Sequence, residues 1–385
     1  MWKMTNNEAY QGLYLHIPFC LRKCDYCDFY SIPVNNSILA GYVRCLVREG
    51  ELRREAGNLP VATIYLGGGT PNLLSAYDIA HLIDALQKSF TVDPKAEISM
   101  EANPVRHDTD YFRIVKDSGI NRLSLGVQSF NENELNLLNR IHSSRDALQT
   151  VETLHRVGLT NFNIDLIYGI PGQTPSSWEK TLKTAVSCHP AHISMYLLQL
   201  NPATPMARKI EQGELSLLGD DNEVAMYYHA LDFLRAAGYE HYEISNLARP
   251  GCRCRHNLIY WQARPYTGLG AGAVSFIMNR RIMNQANVEQ YIRSIQSARL
   301  PATELLEEMT APDLPVDALI LGLRLISGIN CMDFQERYGI DIMKVYQEQI
   351  SNCISNGLLK YANNVIALTE KGYFLSNQVL CQFLR

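Results

Sequence analysis

The segment LYLHIPFCLRKCDYCDF, residues 13–29, is the most informative part of the chain. Its first half is an apolar run of strand length, and its second half places three cysteines at the spacing Cys20-x3-Cys24-x2-Cys27. Three thiolates this close together can hold one metal centre and leave one coordination position open. The segment therefore predicts a metal site with room for an exogenous ligand, on a loop that follows a first strand.

Two other interpretations of these cysteines remain open. A structural zinc site takes four protein ligands, and His16 is a candidate for the fourth, although strand alternation points it away from the loop. A disulfide is disfavoured, because the 10 cysteines are scattered and the N-terminus has no signal-peptide pattern. Most of the other cysteines are expected to be small core residues, but Cys252 and Cys254 lie in an Arg-rich loop and their role stays open.

Composition limits the classes of function. The chain has 385 residues, enough for a large core and two or more domains. Its 35 Lys and Arg residues nearly balance 39 Asp and Glu residues, for a net charge of −4, and no basic run predicts a nucleic-acid partner. No apolar stretch reaches the roughly 18 residues of a membrane helix, and no targeting segment is recognised. We therefore expect a cytoplasmic protein, with peripheral membrane association left open.

Short apolar runs alternate with amphipathic segments as far as about residue 200, which predicts a parallel sheet with crossover helices. The predicted strands are Gly12–Phe19, Ala62–Leu66, Glu97–Glu101, Arg122–Val127, Asn163–Tyr168 and His192–Leu198. The predicted helices are Ser37–Glu55, Ala76–Ser89, Thr109–Asp117, Arg145–Val157 and Ser176–Val186.

Polar residues and glycines stand at the C-terminal ends of successive predicted strands. GGGTP at 67–71 follows the second strand, Glu101 ends the third, Gln128 follows the fourth and Asp165 interrupts the fifth. Ligand sites of parallel barrels lie at these ends. The predicted fold class is therefore α/β, a partial (β/α)6 barrel similar to a TIM barrel, although an open doubly wound sheet also fits the strand pattern.

Three domains are predicted. Residues 1–220 form the barrel with the cysteine loop, residues 221–305 extend the barrel, and residues 306–385 form a small helical domain with a wing. The extension contains a hairpin of Val274–Met278 and Arg281–Asn284. The last domain is predicted to contain helices Val316–Ile326, Cys331–Tyr338, Ile342–Ser355 and Glu370–Leu384 and a strand Val365–Thr369. Winged-helix shapes often bind DNA, but this tail has few clustered Lys and Arg, so we expect packing or partner docking.

The GGGTP segment can present N–H groups to a carboxylate or to the polar end of a cofactor, and a tight turn is the alternative. It lacks the Gly-Lys ending of a phosphate loop. Glu101, Gln128, Arg140 and Asp165 are predicted to lie near one face of the sheet, where a buried carboxylate must be paired. They form a ligand site, an internal ion pair between Arg140 and a carboxylate, or both.

Two further motifs lie near the end of the barrel. GLGAGA at 268–273 contains G-x-G-x-x-A, but no strand is predicted before it and no helix after it, so dinucleotide binding is not predicted. HNLIYW at 256–261, in a segment predicted as a loop, places His256 near Tyr260 and Trp261. Haem iron takes His or Tyr as an axial ligand, and aromatic walls suit a macrocycle. The alternative is a buried histidine among core aromatics.

Seven motifs together resemble those of the oxygen-independent coproporphyrinogen III oxidase family within the radical S-adenosylmethionine (SAM) superfamily. They are HIPFC (16–20), CDYCDF (24–29), GGGTP (67–71), EANP (101–104), RLSLGVQ (122–128), DLIYG (165–169) and YEISN (242–246). The resemblance runs from about residue 12 to the C-terminus. The family has an oxidase branch, which decarboxylates coproporphyrinogen, and a haem chaperone branch.

Three features are similar to the chaperone branch. Phe29 stands where the oxidases have a further cysteine, and only 19 residues precede Cys20, whereas the oxidases have a longer N-terminal extension. HNLIYW is similar to the chaperone branch's haem-binding motif. One departure from the family is NPATP at 201–205, where relatives have EPGTP, which puts in doubt any role of a carboxylate at position 201.

The resemblance implies a site for each ligand. Cys20, Cys24 and Cys27 would bind a 4Fe-4S cluster whose open iron binds SAM. The implied SAM contacts are Tyr14, Tyr26, Gly68, Gly69, Thr70, Glu101, Gln128, Arg140 and Asp165. The implied haem contacts are His256, Asn257, Tyr260 and Trp261. The implied function is a haem chaperone that passes haem, from a possible donor, to a respiratory acceptor protein; the alternative is an oxidase that removes two carboxyl groups from coproporphyrinogen.

Overall fold

The computed structural model describes residues 10–54, 59–105 and 107–384. Residues 1–9, the start of the first predicted domain, and Glu55, the end of a predicted helix, lie outside the described residues. No helix in the described part of the chain is long and apolar enough to cross a membrane.

A large mixed sheet forms the centre of the molecule. The strands of the first 200 residues are β1 (Gln11–Ile17), β2 (Phe19–Cys20), β3 (Ile32–Pro33), β4 (Val61–Gly68), β5 (Val92–Ala102), β6 (Arg122–Gln128), β7 (Phe162–Tyr168) and β8 (His192–Leu197). The following strands are β9 (Glu240–Glu243), β10 (Asn246–Ala248), β11 (Tyr266–Leu269), β12 (Val274–Ile277), β13 (Arg280–Asn284) and β14 (Thr303–Glu308). In the described residues the strand order is β14-β13-β12-β11-β1-β4-β5-β6-β7-β8-β10-β9, and β2 pairs separately with β3.

Helices connect the strands of the large sheet. They are α1 (Asn36–Arg54), α2 (Ala76–Ser89), α3 (Thr109–Asp117), α4 (Glu132–Leu137), α5 (Ser144–Val157), α6 (Pro175–Ser187), α7 (Pro205–Glu211), α8 (Asp220–Ala236), α9 (Arg255–Trp261) and α10 (Val288–Gln296). Their ends follow local chemistry: α5 begins at a capping box of Ser143 and Asp146 and ends at Gly158, whose φ of 72° is left-handed.

The predicted partial barrel is confirmed. Strands β1, β4, β5, β6, β7 and β8 are parallel neighbours, each joined to the next through at least one helix. Apolar side chains on the outer faces of these strands pack against the helices, so that Leu13, Leu15, Ile64 and Leu66 are fully buried. The predicted α/β fold follows from this alternation, since parallel strands need crossover connections.

The sheet contains a seventh parallel strand that the sequence pattern did not predict. β11 pairs with β1, with Tyr14 opposite Gly268, and β12 then returns antiparallel to it. The expectation that no strand precedes the GLGAGA motif was therefore wrong. Gly268 lies inside β11, where a Cβ atom would collide with the carbonyl oxygen of Val274, so this glycine permits close strand pairing. A strand and not a helix follows the motif, as predicted.

The C-terminal part is a small helical domain with a three-stranded wing, as predicted. Its helices are α11 (Asp313–Gly322), α12 (Cys331–Tyr338), α13 (Ile342–Val345), α14 (Gln347–Ser355), α15 (Glu370–Phe374) and α16 (Ser376–Leu380). Its strands β15 (Ile329–Asn330), β16 (Leu359–Ala362) and β17 (Val365–Leu368) have the order β15-β17-β16. Two predicted helices are each divided: Ile342–Ser355 at Tyr346, which packs edge-on against Phe383 with ring centroids 5.5 Å apart, and Glu370–Leu384 at Leu375.

The segment that contains HNLIYW is helix α9, and its prediction as a loop was wrong. The Glu97 carboxylate accepts the backbone N–H groups of Arg255 and His256, both at 3.0 Å, and so caps the helix from the middle of β5. His256 and Tyr260, four residues apart, are bonded on one face at 2.8 Å. A cap supplied by a residue about 160 positions away is not visible in the local sequence.

A buried carboxylate fastens α1 to the strands beyond β1. Glu49 is fully buried and accepts hydrogen bonds from Gly270 N at 2.8 Å, Asn284 Nδ2 at 2.9 Å and the Tyr291 hydroxyl at 2.8 Å. Arg53 also donates to it, at 2.9 Å. Helix α1, the turn at Gly270, the end of β13 and helix α10 therefore meet at the Glu49 side chain.

Replacing this carboxylate should strongly destabilise the fold. Glu49→Ala leaves several buried donors unpaired, and we expect the free energy of unfolding to fall by about 3–5 kcal/mol. Glu51→Ala, in the same helix and half-exposed, is the matched control and should change it by less than about 1 kcal/mol. Urea denaturation followed by circular dichroism measures both; equal losses would contradict the role of Glu49.

Candidate functional site

The three cysteines of the motif lie at the mouth of the barrel, Cys20 at the end of β2 and Cys24 and Cys27 on the loop between β2 and β3. All three are free thiols and partly exposed, and the N–H of Cys27 donates to the carbonyl of Cys24 at 3.2 Å. They line a cavity of about 360 Å³ that continues into the barrel. In the described part of the chain, no three His, Cys, Asp or Glu side chains converge as ligands of a single metal ion.

The cysteine loop is anchored through Asp25. Its carboxylate accepts hydrogen bonds from Lys209 Nζ at 2.7 Å and Asn139 Nδ2 at 2.8 Å, and its carbonyl accepts the N–H of Met206 at 3.0 Å. Partial burial alone would raise the pKa of Asp25, but the bonds from Lys209 and Asn139 hold it below its ordinary value. Helix α7 and the end of α4 thus fix the loop against the barrel.

Two polar side chains donate to the cysteine sulfurs. Arg140 donates to Cys24 Sγ at 3.2 Å and to the carbonyl of Gly126 at 2.6 Å, and it also bonds Asn103 Oδ1. Thr70 Oγ1 donates to Cys20 Sγ at 3.6 Å. In the described structure Arg140 thus bonds a sulfur, an amide oxygen and a carbonyl oxygen. The ion pair between Arg140 and a carboxylate, which the sequence left open, is not among these contacts.

The glycines after β4 fit closely between two neighbouring strands. Gly68 has a φ of 109°, and a Cβ atom there would lie 2.6 Å from the His16 ring. The N–H of Gly69 donates to Ile17 O at 2.9 Å, and the N–H of Gly68 donates to Glu101 Oε2 at 3.1 Å. The segment is thus a tight turn, and it also binds a carboxylate of the protein itself.

Glu101 is the central acid of the cavity wall. Its other oxygen accepts the Tyr65 hydroxyl at 2.9 Å. Burial, together with the negative charge of Asp165, raises the pKa of Glu101 to about 7. The group can therefore change charge near neutral pH, and a cationic ligand in the cavity would favour its ionised form.

Asp165 points into the lumen, as predicted for a carboxylate inside an apolar strand. It accepts hydrogen bonds from Asn163 Nδ2 at 2.7 Å and Ser124 Oγ at 3.1 Å, while burial raises its pKa. Gln128 lines the same cavity at the end of β6, with a left-handed φ of 69°. Such strained positions of non-glycine residues are frequent at functional sites.

Of the nine residues predicted to contact SAM, eight line the cavity. They are Tyr26, Gly68, Gly69, Thr70, Glu101, Gln128, Arg140 and Asp165. Tyr14 stands on the adjacent wall, where its hydroxyl bonds His16 Nδ1 at 3.0 Å. The other ring nitrogen of His16 bonds the carbonyl of Tyr30 at 2.9 Å, so both nitrogens of the candidate fourth zinc ligand are occupied.

The HNLIYW residues point in different directions. His256 is 1% exposed, with Nδ1 2.7 Å from Thr63 Oγ1 and Nε2 2.8 Å from the Tyr260 hydroxyl. Burial, and then the charge of Arg122, lowers the pKa of His256 to about 3, which keeps it neutral. Asn257 lines the barrel cavity, whereas Trp261 lines a separate cleft beside the C-terminal domain.

Several residues of the cavity were not predicted. They are Asn103, Arg122, Ser124, Asn163, Ser194 and Tyr196. For Asn163, Ser194 and Tyr196 the signal in the sequence was the two-residue alternation of polar side chains within β7 and β8. The Cys252–Cys254 pair divides: Cys254 is buried near Glu97 Oε1, at 3.7 Å, and burial raises its pKa to about 12, while Cys252 is partly exposed.

Comparison with protein families identifies two regions of the chain. Residues 14–185 match the model of the radical SAM superfamily, and residues 309–375 match the HemN C-terminal domain. Three full-length relatives are proteins named heme chaperone HemW. That of Lactococcus lactis is 33% identical and aligns over 96% of each chain; those of Bacillus subtilis and Escherichia coli are each 32% identical, over 97% of this chain and 99% and 98% of theirs.

A solved structure shares the whole architecture. The structure titled coproporphyrinogen III oxidase (HemN) from Escherichia coli, described there as a radical SAM enzyme, superposes with a TM-score of 0.84 and 25% identity. The superposition covers 97% of this chain and 89% of that one. The partial barrel and the C-terminal domain therefore keep the same arrangement in both proteins.

Loss of the ion pair that anchors the cysteine loop should make the loop more accessible. Lys209→Ala removes the charged partner of Asp25, and we expect the loop thiols to react with iodoacetamide about threefold to fivefold faster, which corresponds to about 1 kcal/mol of lost anchoring. Arg208→Ala, on the same helix but bonded to Ala203 O, is the control and should leave the rate unchanged. Equal rates in all three proteins would show that the ion pair does not hold the loop.

The raised pKa of Glu101 should make the stability of the fold depend on pH. Its pKa of about 7 in the fold exceeds the ordinary 4.5, so the folded state binds this proton more tightly than the unfolded state. The stabilisation that results is present below pH 4.5 and is lost as the pH rises through about 7. The unfolding free energy of the wild type minus that of Glu101→Gln should therefore decrease between pH 5 and pH 8.

Urea denaturation at four pH values across this interval measures that difference. The exposed Glu51→Gln variant serves as the control, and its difference from the wild type should not follow the same course. A difference for Glu101→Gln that is constant with pH would contradict the raised pKa.

Proposed function

The chain belongs to the radical SAM superfamily and, within it, to the family of the heme chaperone HemW proteins, and from this we propose that it is a haem chaperone with a 4Fe-4S cluster and SAM as its cofactors. The observation that supports this most is the likeness to proteins of that name over nearly the full length of both chains. The geometry of the barrel mouth supports the two cofactors.

The cysteine loop fits a cluster. Cys20, Cys24 and Cys27 face one cavity, and the donors Arg140 and Thr70 lie against two of the sulfurs. Hydrogen bonds to the sulfur ligands tune the reduction potential of such clusters. When bound and reduced, a cluster of this type can supply an electron to SAM.

The cavity below the loop fits SAM. Glu101 would accept the ammonium group of the methionyl part, and Arg140 would pair with its carboxylate. Asp165 and Gln128, which line the same cavity, would receive the ribose hydroxyls. Tyr26 in the cysteine loop would cover the ligand, and Tyr14 would hold the wall through its bond to His16.

Helix α9 is the segment that we assign to haem. His256, Asn257, Tyr260 and Trp261 were predicted as its haem contacts, and the helix lies between the barrel floor and the C-terminal domain. Both nitrogens of His256 are hydrogen-bonded, so it can bind iron only after leaving Thr63 or Tyr260. In the observed arrangement His256 holds α9 against the barrel through its hydrogen bond with Thr63.

The rim of the barrel mouth suits a protein that transfers its ligand. Leu21 and Phe29 are 52% and 64% exposed beside Arg22 and Lys23, and Ile141 is 42% exposed nearby. Exposed apolar groups of this kind mark contact surfaces. We assign this rim to a respiratory acceptor, a haem donor or a membrane surface at which they reside. The free thiols throughout the described chain are in keeping with the cytoplasm.

A haem titration tests the function. The anaerobically reconstituted protein should bind haem saturably at about one equivalent per chain, followed by the Soret band. His256→Ala should weaken binding at least tenfold, because α9 loses its two side-chain anchors. The control His229→Ala, exposed on α8, should bind as the wild type does. Unchanged affinity in His256→Ala would remove this residue from the haem site.

The oxidase is the second candidate, because the HemN structure shares the whole fold. Phe29 opposes it, since the oxidases have a cysteine at that position. We expect that coproporphyrinogen III, SAM and an anaerobic reductant will yield no product that lacks two carboxyl groups, under conditions where SAM is cleaved. Formation of that product, together with an absence of saturable haem binding, would establish the oxidase instead.

A further inference from the structure

The side-chain amide of Asn103 joins the two side chains that donate to cysteine sulfurs. Asn103 directly follows β5 at the barrel mouth and lines the cavity. Its Nδ2 donates to Thr70 Oγ1 at 3.0 Å, and its Oδ1 accepts a hydrogen bond from the Arg140 guanidinium. Thr70 and Arg140 in turn donate to Cys20 Sγ and Cys24 Sγ. One amide therefore links both donors of the cysteine loop.

The direction of each hydrogen bond follows from the chemistry of the amide. A guanidinium has N–H donors and no acceptor, so the group of Asn103 that faces Arg140 must be its oxygen. The NH2 group then faces Thr70, whose hydroxyl oxygen accepts from it at 3.0 Å. A hydroxyl has a single proton, and this proton is left to donate to Cys20 Sγ, which lies 3.6 Å away. Through Asn103, Arg140 thus determines the direction of the bond between Thr70 and Cys20.

The same amide restricts the direction of the Arg140 side chain. Its Nη2 donates to Asn103 Oδ1 and to the carbonyl of Gly126, which accepts at 2.6 Å. Its Nη1 donates to Cys24 Sγ at 3.2 Å. A guanidinium is planar, so two acceptors on Nη2 also fix the direction of Nη1. The contact of Arg140 with Cys24 therefore depends on Asn103 as well.

Asn103 is itself held by the turn that follows Thr70. The fully buried side chain of Asn72, in the turn Pro71–Leu73, donates to Asn103 O at 2.9 Å and accepts the N–H of Asn103 at 3.0 Å. The carbonyl of Asn72 is bonded to His107 Nε2 at 2.8 Å. These paired bonds restrain the backbone of Asn103, so its amide is in place before any ligand binds.

We propose that Asn103 is a positioning residue for the cluster, because it directs one hydrogen bond to each of two cysteine ligands and thereby raises the reduction potential. Reduction adds negative charge to a cluster, and hydrogen bonds to its sulfur ligands stabilise that charge. The third sulfur, of Cys27, is bonded by the backbone N–H of Phe29 instead. The proposal rests on the proposed function only in that the three cysteines hold a cluster.

Anaerobic redox titrations of the cluster-reconstituted full chain test the proposal, with iron and sulfide content and an electron paramagnetic resonance spectrum recorded for every variant. Asn103→Asp keeps the size of the side chain and its bond with Arg140, but its carboxylate accepts the Thr70 proton in place of Cys20 Sγ. The equilibrium constant for reduction should fall about fivefold, a shift of about −40 mV for a one-electron couple. Thr70→Val, which removes the hydroxyl, should lower the constant about threefold.

A double variant separates this effect from the charge of the new carboxylate. In a chain that already has Thr70→Val, Asn103→Asp adds the same charge but finds no hydroxyl to redirect. The factor by which Asn103→Asp lowers the constant should therefore be about three times smaller there than in the wild-type chain. The controls are Thr70→Ser, which keeps the hydroxyl, and Asn133→Asp, exposed on α4; both should match the wild type within about twofold.

Asn103→Leu is the second variant, because it removes the amide without adding charge. It should also lower the constant, by about twofold or more, and it decides the question if Asn103→Asp retains no cluster. A wild-type cluster whose potential the Asn103 variants leave unchanged, or equal factors in the two backgrounds, would overturn the role of Asn103 and leave the proposed cofactor standing. A wild-type chain that retains no iron and sulfide would overturn the cluster and this role together.

Discussion

The structure depends on a barrel lumen that is filled with polar side chains. In an ordinary parallel barrel the inward positions hold layers of branched aliphatic residues. Here Thr63, Glu97, Asn163 and Asp165 occupy them, and each must find a hydrogen-bond partner because an unpaired buried polar group costs about 1–3 kcal/mol. His192 meets this demand at one end, bonding Asn163 at 2.7 Å and Tyr242 at 2.8 Å. A lumen lined in this way offers groups that can pair with the charges of a ligand.

The same demand explains why α9 closes the floor of the barrel. Glu97 needs donors, and the free N–H groups at the start of a helix supply two of them. Thr63 needs a partner, and His256 supplies it. His256, which the HNLIYW motif predicts as a haem ligand, therefore completes the hydrogen bonding of the lumen in this arrangement.

The sequence could predict what depends on neighbours in the chain. Periodicity predicted the six central strands and most helices, and the polar residues at the strand ends together with the family resemblance predicted eight of the residues around one cavity. The features that the sequence could not predict depend on contacts between residues far apart in the chain. β11 forms because β1 offers it an edge, α9 forms because Glu97 caps it, and Asp25 is held by Asn139 and Lys209, 114 and 184 positions away. Periodicity within a short window contains no information on such pairs.

Helix α9 lies between both cavities. Asn257 lines the barrel cavity and Trp261, one turn later, lines the cleft, so the two sites are separated by about 6 Å of helix rise. Glu97 and Thr63 hold the start of the helix, and Arg337 holds the residues that follow its end. The seven residues of α9 therefore contribute to the walls of both cavities while contacts at both ends of the helix hold it in place. Because the same short helix lines both cavities, its position determines the shape of each of them.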